Sequence, residues 1–551
     1  MSRTTTACTL LALTLPCIPA LAAAAPADSA ARIDTALAAS YRPDQPGATV
    51  IVVKDGKMLL RKAYGLADVA HKVALTPETP MRLGSITKQF TATAILLLVD
   101  EGKIKLDDDI TAYLPDYPTH GKTITVEHLL THTSGIVSFT GKPGYEAGMG
   151  RDIGVAQMID SFKDDPLEFD PGARYKYNNS GYFLLGAIVE KVSGMRYDEF
   201  VARRIFVPLG MTRTAYEGHE RERAVRAVGY SGAPGKFAPS AGLSMTQPYA
   251  AGALVSTVDD LARWDAAIAA GKLLKPATWQ RAFTPYVMRD GSSSGYAYGW
   301  DTGKLQGVPM IAHGGGINGF STFALRLPSE KVFVAVLTNA DSGLARPEEA
   351  AYRVAAIAMG KPFPEYKEIK LAPALLDAYA GTYQAGAGPA RVFRREGDHL
   401  VMVRPGRAPM PVRAFSETGF FIPDSVARFE FARDAAGKAS QVTLYQVEDT
   451  QIMRRSGDAP APRTAVRIDN ARYDAYAGRY QRAPQFVLEM TREGDRYYAQ
   501  ATGQPKLEIF ALDERTFFSN DVDAELRFDA AQPGSVVLRQ GGRDTKGTKL
   551  P

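Results

Sequence analysis

The 551-residue chain predicts an α+β fold, an antiparallel sheet flanked by helices, followed by two small antiparallel β units. Three observations carry that expectation. β-prone runs near residue 50 and again between residues 308 and 339 enclose a long stretch of helices and loops, so strands from both ends can join one sheet under helical cover. A linker-like segment, "PFPEYKEIKLAPA", occupies residues 362–374. Beyond it the sequence repeats: "DAYAGTYQ" begins at Asp377 and "DAYAGRYQ" at Asp474, an offset of 474 − 377 = 97. The same offset carries Arg395-Glu396-Gly397-Asp398 onto Arg492-Glu493-Gly494-Asp495, and Phe420-Phe421 onto Phe517-Phe518, which marks a duplication.

Composition narrows the function classes. Apolar residues make up 45% and charged residues 23%, the balance of a folded globular protein. The formal charge of +5 arises from 65 basic against 60 acidic residues with no long block of either sign, so no nucleic-acid partner is expected. The first 25 residues read as a secretory signal peptide. Arg3 precedes the apolar run "LLALTLPCIPALAAAA", and small residues follow. Both cysteines, Cys8 and Cys17, fall inside it, so an exported protein, periplasmic or secreted, carries no disulfide and no Cys-based metal site. No other run is long enough for a membrane span. The expected divisions are 1–25 signal, 26–362 the larger domain, and 370–460 and 467–551 the two β units.

Within the larger domain, "ATVIVVKDGKMLLRKAYG" reads as a hairpin turning at Asp55-Gly56. The next segment, "RLGSITKQFTATAILLLVDEG" (82–102), is an apolar helix with Ser85 at its mouth and Lys88 three residues on. That spacing sets the two side chains on one face, about 5 to 6 Å apart at Cβ. A serine hydroxyl is a weak nucleophile without a neighbouring base. A lysine becomes such a base only when burial lowers its pKa. Tyr177-Asn178-Asn179 precedes a second apolar helix, and His313-Gly314-Gly315 ends a β run. Asn179 is a candidate N-cap of that helix. His71, His120, His128, His132 and His219 lack metal-ligand spacing, and "HLLTHTSG" reads as a structural turn. No metal and no cofactor are expected.

S-x-x-K, then Y-x-N, then H-x-G, in that order, resemble the class C β-lactamase and D-aminopeptidase group of penicillin-recognising serine hydrolases. "LLTHTSGI", "LVSTVDDLARW" and "YAYGW" add to the likeness, which spans roughly residues 35–360. The resemblance implies a β-lactamase/transpeptidase-like domain with Ser85 as acylated nucleophile. Lys88 and Tyr177 would share proton transfer, with the resting base left open between them. It further implies Asn179, His313 and Gly315 as substrate-binding residues, and the backbone N–H groups of Ser85 and Gly316 as an oxyanion hole. Two β units after the hydrolase domain resemble the lipocalin-like barrels of D-aminopeptidases. The implied activity is hydrolysis of a small peptide or amide through an acyl-enzyme, with a preference for D-residues. A carboxylesterase and a β-lactamase are the alternatives, and a non-catalytic penicillin-binding sensor stands outside catalysis altogether. His313 departs from the lysine that β-lactamases use to hold a carboxylate, and a histidine offers at most part of a charge near neutral pH.

Overall fold

The computed structural model describes residues 26–551, apart from 143, 220–225, 387, 406, 448, 462, 484–485, 503–505, 530–531, 533, 541–542 and 551. The expected signal segment at residues 1–25 lies outside the described residues.

Six antiparallel strands form the sheet of the larger domain: β1 (Ala48–Lys54), β2 (Lys57–Tyr64), β3 (Asp301–Leu305), β4 (Val308–Ile317), β5 (Phe320–Leu327) and β6 (Val332–Thr338), in the order β3-β4-β5-β6-β1-β2. The N-terminal hairpin closes against the last strand, with Ala48 opposite Thr338 and Lys54 opposite Val332. Asp55 and Gly56 both hold positive φ, +50° and +73°, as the two-residue hairpin turn requires. β5 and β6 join through Pro328–Glu330, as the sequence suggests.

Alternation along the central strands feeds two cores. Val50, Val52, Val334 and Val336 face α1 (Pro26–Ser40) and a late helix, Pro347–Ala358, together with Leu37 and Val354. Ile51, Ala335 and Leu337 face the opposite way. They meet α2 (Thr87–Asp100), α3 (Asn179–Ser193) and α4 (Val258–Ala269) through Phe90, Phe183 and Trp264. The late helix is α5. Both faces of β6 are buried, which is why "VFVAVLT" is continuously apolar.

Each duplicated unit is a closed eight-stranded antiparallel barrel. The first runs from β7 (Gly381–Gln384) through β8 (Arg391–Glu396) and β9 (His399–Val403) to β14 (Thr450–Gly457). The second runs from β15 (Gly478–Ala483) through β16 (Phe486–Glu493) and β17 (Arg496–Ala501) to β22 (Arg543–Lys549). The shared residues do the same work in both. Arg395 donates to Asp377 and Arg492 to Asp474, each at 2.7 Å, tying the short leading helix to the barrel. The Tyr383 hydroxyl donates to Tyr379 O as Tyr480 does to Tyr476 O. The linker lies along the first barrel, where Ile369 N donates to Ala414 O and Tyr366 stacks on Phe415. That barrel docks on α5. Glu349 accepts from Ser425 Oγ and Val426 N, each at 2.9 Å, and Arg353 donates to Ser425 O. Among the described residues no helix is long and apolar enough to cross a membrane.

Candidate active site

Ser85 sits in a 3-10 turn, Gly84–Ile86, that runs directly into α2. Every residue of α2 from Thr87 to Leu98 is buried, so each polar side chain along it must find a partner. Thr87 Oγ1 accepts from Leu254 N, and Thr91 Oγ1 donates to Ala250 O. Those two bonds fasten segment 250–254 across the helix, and thereby set the Ala251 carbonyl over Lys88.

Lys88 is wholly buried. Its Nζ lies 3.1 Å from Ser85 Oγ, 2.8 Å from Asn179 Oδ1 and 2.9 Å from Ala251 O. Asn179 donates through Nδ2 to Thr140 Oγ1 at 3.0 Å, so its oxygen is the atom turned to the lysine. A carbonyl and an amide oxygen can only accept, and a neutral amine has two N–H donors and one lone pair. With both donors taken, the lone pair is left for the serine. Burial drives the Lys88 pKa well below that of an ordinary lysine and so favours that neutral form.

Tyr177 closes the site from the other side. Its hydroxyl faces Ser85, and Lys88 Nζ stands 4.8 Å from its ring centroid. The surrounding rings desolvate that hydroxyl and raise its pKa above the usual value, although the residue as a whole is 36% exposed, so it is held as the neutral phenol. The cap of α3 is Asn178, not Asn179: its side chain accepts from Gly181 N at 2.9 Å. Being one residue inside the helix is what frees the Asn179 amide for Lys88.

His313 lies near the end of β4. It is 3% exposed; Nδ1 donates to Gly314 O at 2.6 Å, and Nε2 accepts from the Tyr296 hydroxyl at 2.8 Å. Burial, with the nearby Lys88, pushes its pKa down to about 3. It is neutral, and both nitrogens are engaged within the fold. Gly315 also has a reason other than ligand approach, since a Cβ there would sit 2.0 Å from Leu83 O and 2.3 Å from Thr322 Oγ1. A Cβ on Gly316 would meet nothing within 4 Å. Gly84 needs its lack of a side chain twice over. Its φ is +55°, and a Cβ would lie 3.1 Å from Gly316 N, which brings the strand end up to the serine turn.

Two members of the site have no counterpart in the sequence reading. The Ala251 carbonyl is a backbone atom and leaves no residue signal. His132, read as part of a turn, is buried at φ +59° among Tyr177, Tyr182 and Tyr296, with ring centroids 4.3, 5.1 and 4.5 Å away. Its Nδ1 accepts from Asn178 N at 3.1 Å. Its own placement inside "LLTHTSGI" was the available signal. Among the described residues no group of three or more His, Cys, Asp or Glu is arranged to hold a metal ion.

A helix-covered antiparallel sheet with serine, lysine and tyrosine converging at its edge defines a β-lactamase/transpeptidase-like serine hydrolase. Residues 31–359 match the Beta-lactamase family model, and the chain belongs to that family. It is 27% identical over 434 residues to penicillin-binding protein 4* of Bacillus subtilis, covering 70% of this chain and 91% of that protein. It is 30% identical over 331 residues to Protein flp of Staphylococcus aureus, covering 57% of this chain and 64% of that protein, so it spans just under two thirds of that relative. Among solved structures it is similar to the octameric penicillin-binding protein homologue from Pyrococcus abyssi, at 28% identity and a TM-score of 0.53, over 78% of this chain and 98% of that one. The D-amino acid amidase from Ochrobactrum anthropi SV3, at 24% identity and a TM-score of 0.51 over 60% of this chain and 98% of that one, shares the fold.

Proposed function

We propose that this chain hydrolyses a peptide or amide bond through a Ser85 acyl-enzyme, with a D-residue preferred on the acyl side. Lys88 is the resting base. It takes the Ser85 proton as Oγ attacks the carbonyl, and Tyr177 relays that proton to the departing amine. In the second half a water attacks the ester carbonyl, gives its proton back through the same pair, and frees Ser85. Asn179 steadies Lys88 and meets the substrate amide. The backbone N–H groups of Ser85 and Gly316 receive the carbonyl oxygen as it becomes negative. The observation that carries this reading is the Lys88 hydrogen-bond set, two obligate acceptors that leave only the lone pair facing Ser85 Oγ.

The neutral, internally bonded His313 supports substrates with no free carboxylate beside the scissile bond, because the histidine itself offers no charge to hold one. We further propose that the chain is exported after removal of residues 1–25, and that residues 26–362 form the hydrolase domain, with 370–460 and 467–551 as the barrel domains. Initial rates on D- and L-aminoacyl p-nitroanilides, p-nitrophenyl esters and a chromogenic cephalosporin test the activity. Faster turnover of the D-anilide is expected. Turnover confined to the ester would make the protein a carboxylesterase, and turnover confined to the cephalosporin a β-lactamase. A Ser85→Ala protein that still labels with a fluorophosphonate would remove Ser85 as nucleophile.

A further inference from the structure

The two copies of the barrel differ in the residues at one mouth. In the second barrel the paired residues Leu488 and Ala501 of β16 and β17 line a small apolar recess of about 60 Å³. Subtracting 97 places Arg391 and Arg404 at those positions in the first barrel. The β8–β9 register, with Val392 opposite Val403, continues one step to set Arg391 beside Arg404. There the mouth opens on a cavity of about 700 Å³ between the barrel, the end of α1 and the start of α5. The apolar lining persists: Met402, Met410 and Phe429 stand where the second copy has Ala499, Leu507 and Leu526.

Two like charges on facing strand positions repel each other, and burial adds a desolvation cost. Arg391 is half-buried, and its bonds run to Gln451 Oε1 at 2.6 Å and to Met453 Sδ. The one side-chain hydrogen bond of Arg404 among the described residues goes to Met410 Sδ. Among the described residues neither guanidinium meets a carboxylate. The other charges on the cavity wall are already matched or turned outward. Arg42 pairs with Asp44, Arg346 with Glu348 and Glu349, and Asp424 is exposed. Burial and the neighbouring Arg404 both lower the Arg391 pKa, the sign of an uncompensated cation.

We propose that this mouth is a binding site for an amphipathic organic anion, its carboxylate bridging Arg391 and Arg404 and its apolar body lying along Met402, Met410 and Phe429. The cavity has the size of small-molecule sites, roughly 300 to 1,000 Å³, and a bare inorganic anion would leave most of it unfilled. A bridging carboxylate receives charge-assisted bonds from both arginines and relieves their repulsion. The site lies on the α1–α5 side of the sheet, away from the face that carries Lys88.

Calorimetric titration and thermal unfolding of the full-length protein with octanoate, 1-octanol and inorganic phosphate test the proposal. Octanoate should bind and raise the melting temperature, with both 1-octanol and phosphate at least tenfold weaker. The variant Arg391→Leu/Arg404→Ala, which installs the residues the second barrel already carries, should lose roughly 10- to 100-fold in octanoate affinity. Its unliganded melting temperature should rise, and its turnover of a small anilide should stay unchanged. Arg404→Ala alone, at an exposed position, serves if the double variant does not fold, and it should lose at least tenfold. Equal octanoate affinity in wild type and variant would overturn the proposal. So would no binding at millimolar octanoate, or phosphate binding as tightly as octanoate.

Discussion

The His132 ring packs on the Tyr177 ring with centroids 4.3 Å apart, while its Nδ1 accepts the Asn178 backbone N–H. One side chain therefore holds both the site tyrosine and the start of α3, from which Asn179 reaches Lys88. His132 Nε2 is buried without a hydrogen-bond partner among the described residues, so the Asn178 contact is what sets the ring. His132→Phe keeps an aromatic ring but orphans that N–H, an expected loss of about 1 to 3 kcal/mol in stability. The turnover number should fall more than KM changes. His132→Asn restores an acceptor and suits the left-handed backbone, so it should recover part of the stability. Urea unfolding and initial rates measure both; a Phe variant with wild-type values would separate His132 from the site.

Lys88 and Tyr177 make opposite predictions for pH. The Lys88 pKa is depressed, and in the proposed mechanism the neutral amine is the reactive form, so kcat/KM should rise through that pKa from the acid side and then hold level. The Tyr177 pKa is raised, so no alkaline limb is expected up to about pH 10, the ordinary value for tyrosine. Lys88→Ala should cost about 100-fold or more, as for a lost general base, and abolish the acid limb. A profile still rising through pH 10 would transfer the base role to Tyr177.

Gly315 and Gly84 connect the strand end to the serine. Gly315→Ala places a methyl against Leu83 O, a backbone atom that cannot step aside without moving Gly84 and Ser85. A displacement of about 1 Å at a reacting group is worth about 100-fold in rate. That loss is expected with fluorophosphonate labelling slowed in parallel. Gly316→Ala, by contrast, adds a methyl into open space and should leave labelling within a few-fold of wild type. Equal effects at the two glycines would contradict the geometry.

How far the site could be read from the chain depended on the range of each interaction. Ser85 with Lys88, and Tyr177 with Asn179, are separated by less than one helical turn, so spacing alone puts each pair together. The Asp377–Arg395 and Asp474–Arg492 bonds recur within each copy, which is why the duplication shows in the letters. The partners contributed by distant backbone did not show. Ala251 reaches Lys88 because Thr87 and Thr91 hold its segment, and no residue type announces that. Asn178 and Asn179 are identical neighbours, and only the observed helix start tells which one caps. Whether His313 keeps part of a charge depends on exposure, which the letters do not show, and burial with its bond to Tyr296 leaves it none.

Acid stability follows from two desolvated imidazoles, the buried His313 and the half-buried His128. His313 titrates near 3 and His128 near 4, both pulled down chiefly by burial, against about 6.5 for an unfolded histidine. A depressed pKa means that the unfolded chain binds the proton more readily. The stability these groups contribute is therefore complete above about pH 6.5 and drains away as pH falls toward 4 and 3. Each histidine contributes a slope of about 1.4 kcal/mol per pH unit within that window. Urea midpoints at pH 7.5, 6.5, 5.5 and 4.5 should thus fall steeply before most carboxylates titrate. His128 offers a clean subtraction. It holds the N3 position of a capping box in which its Nδ1 accepts Thr125 N at 3.1 Å, and glutamine is a natural occupant of that position. His128→Gln should keep the cap and remove about one histidine's share of the slope. A variant that follows the wild-type pH dependence would assign the acid loss to other groups.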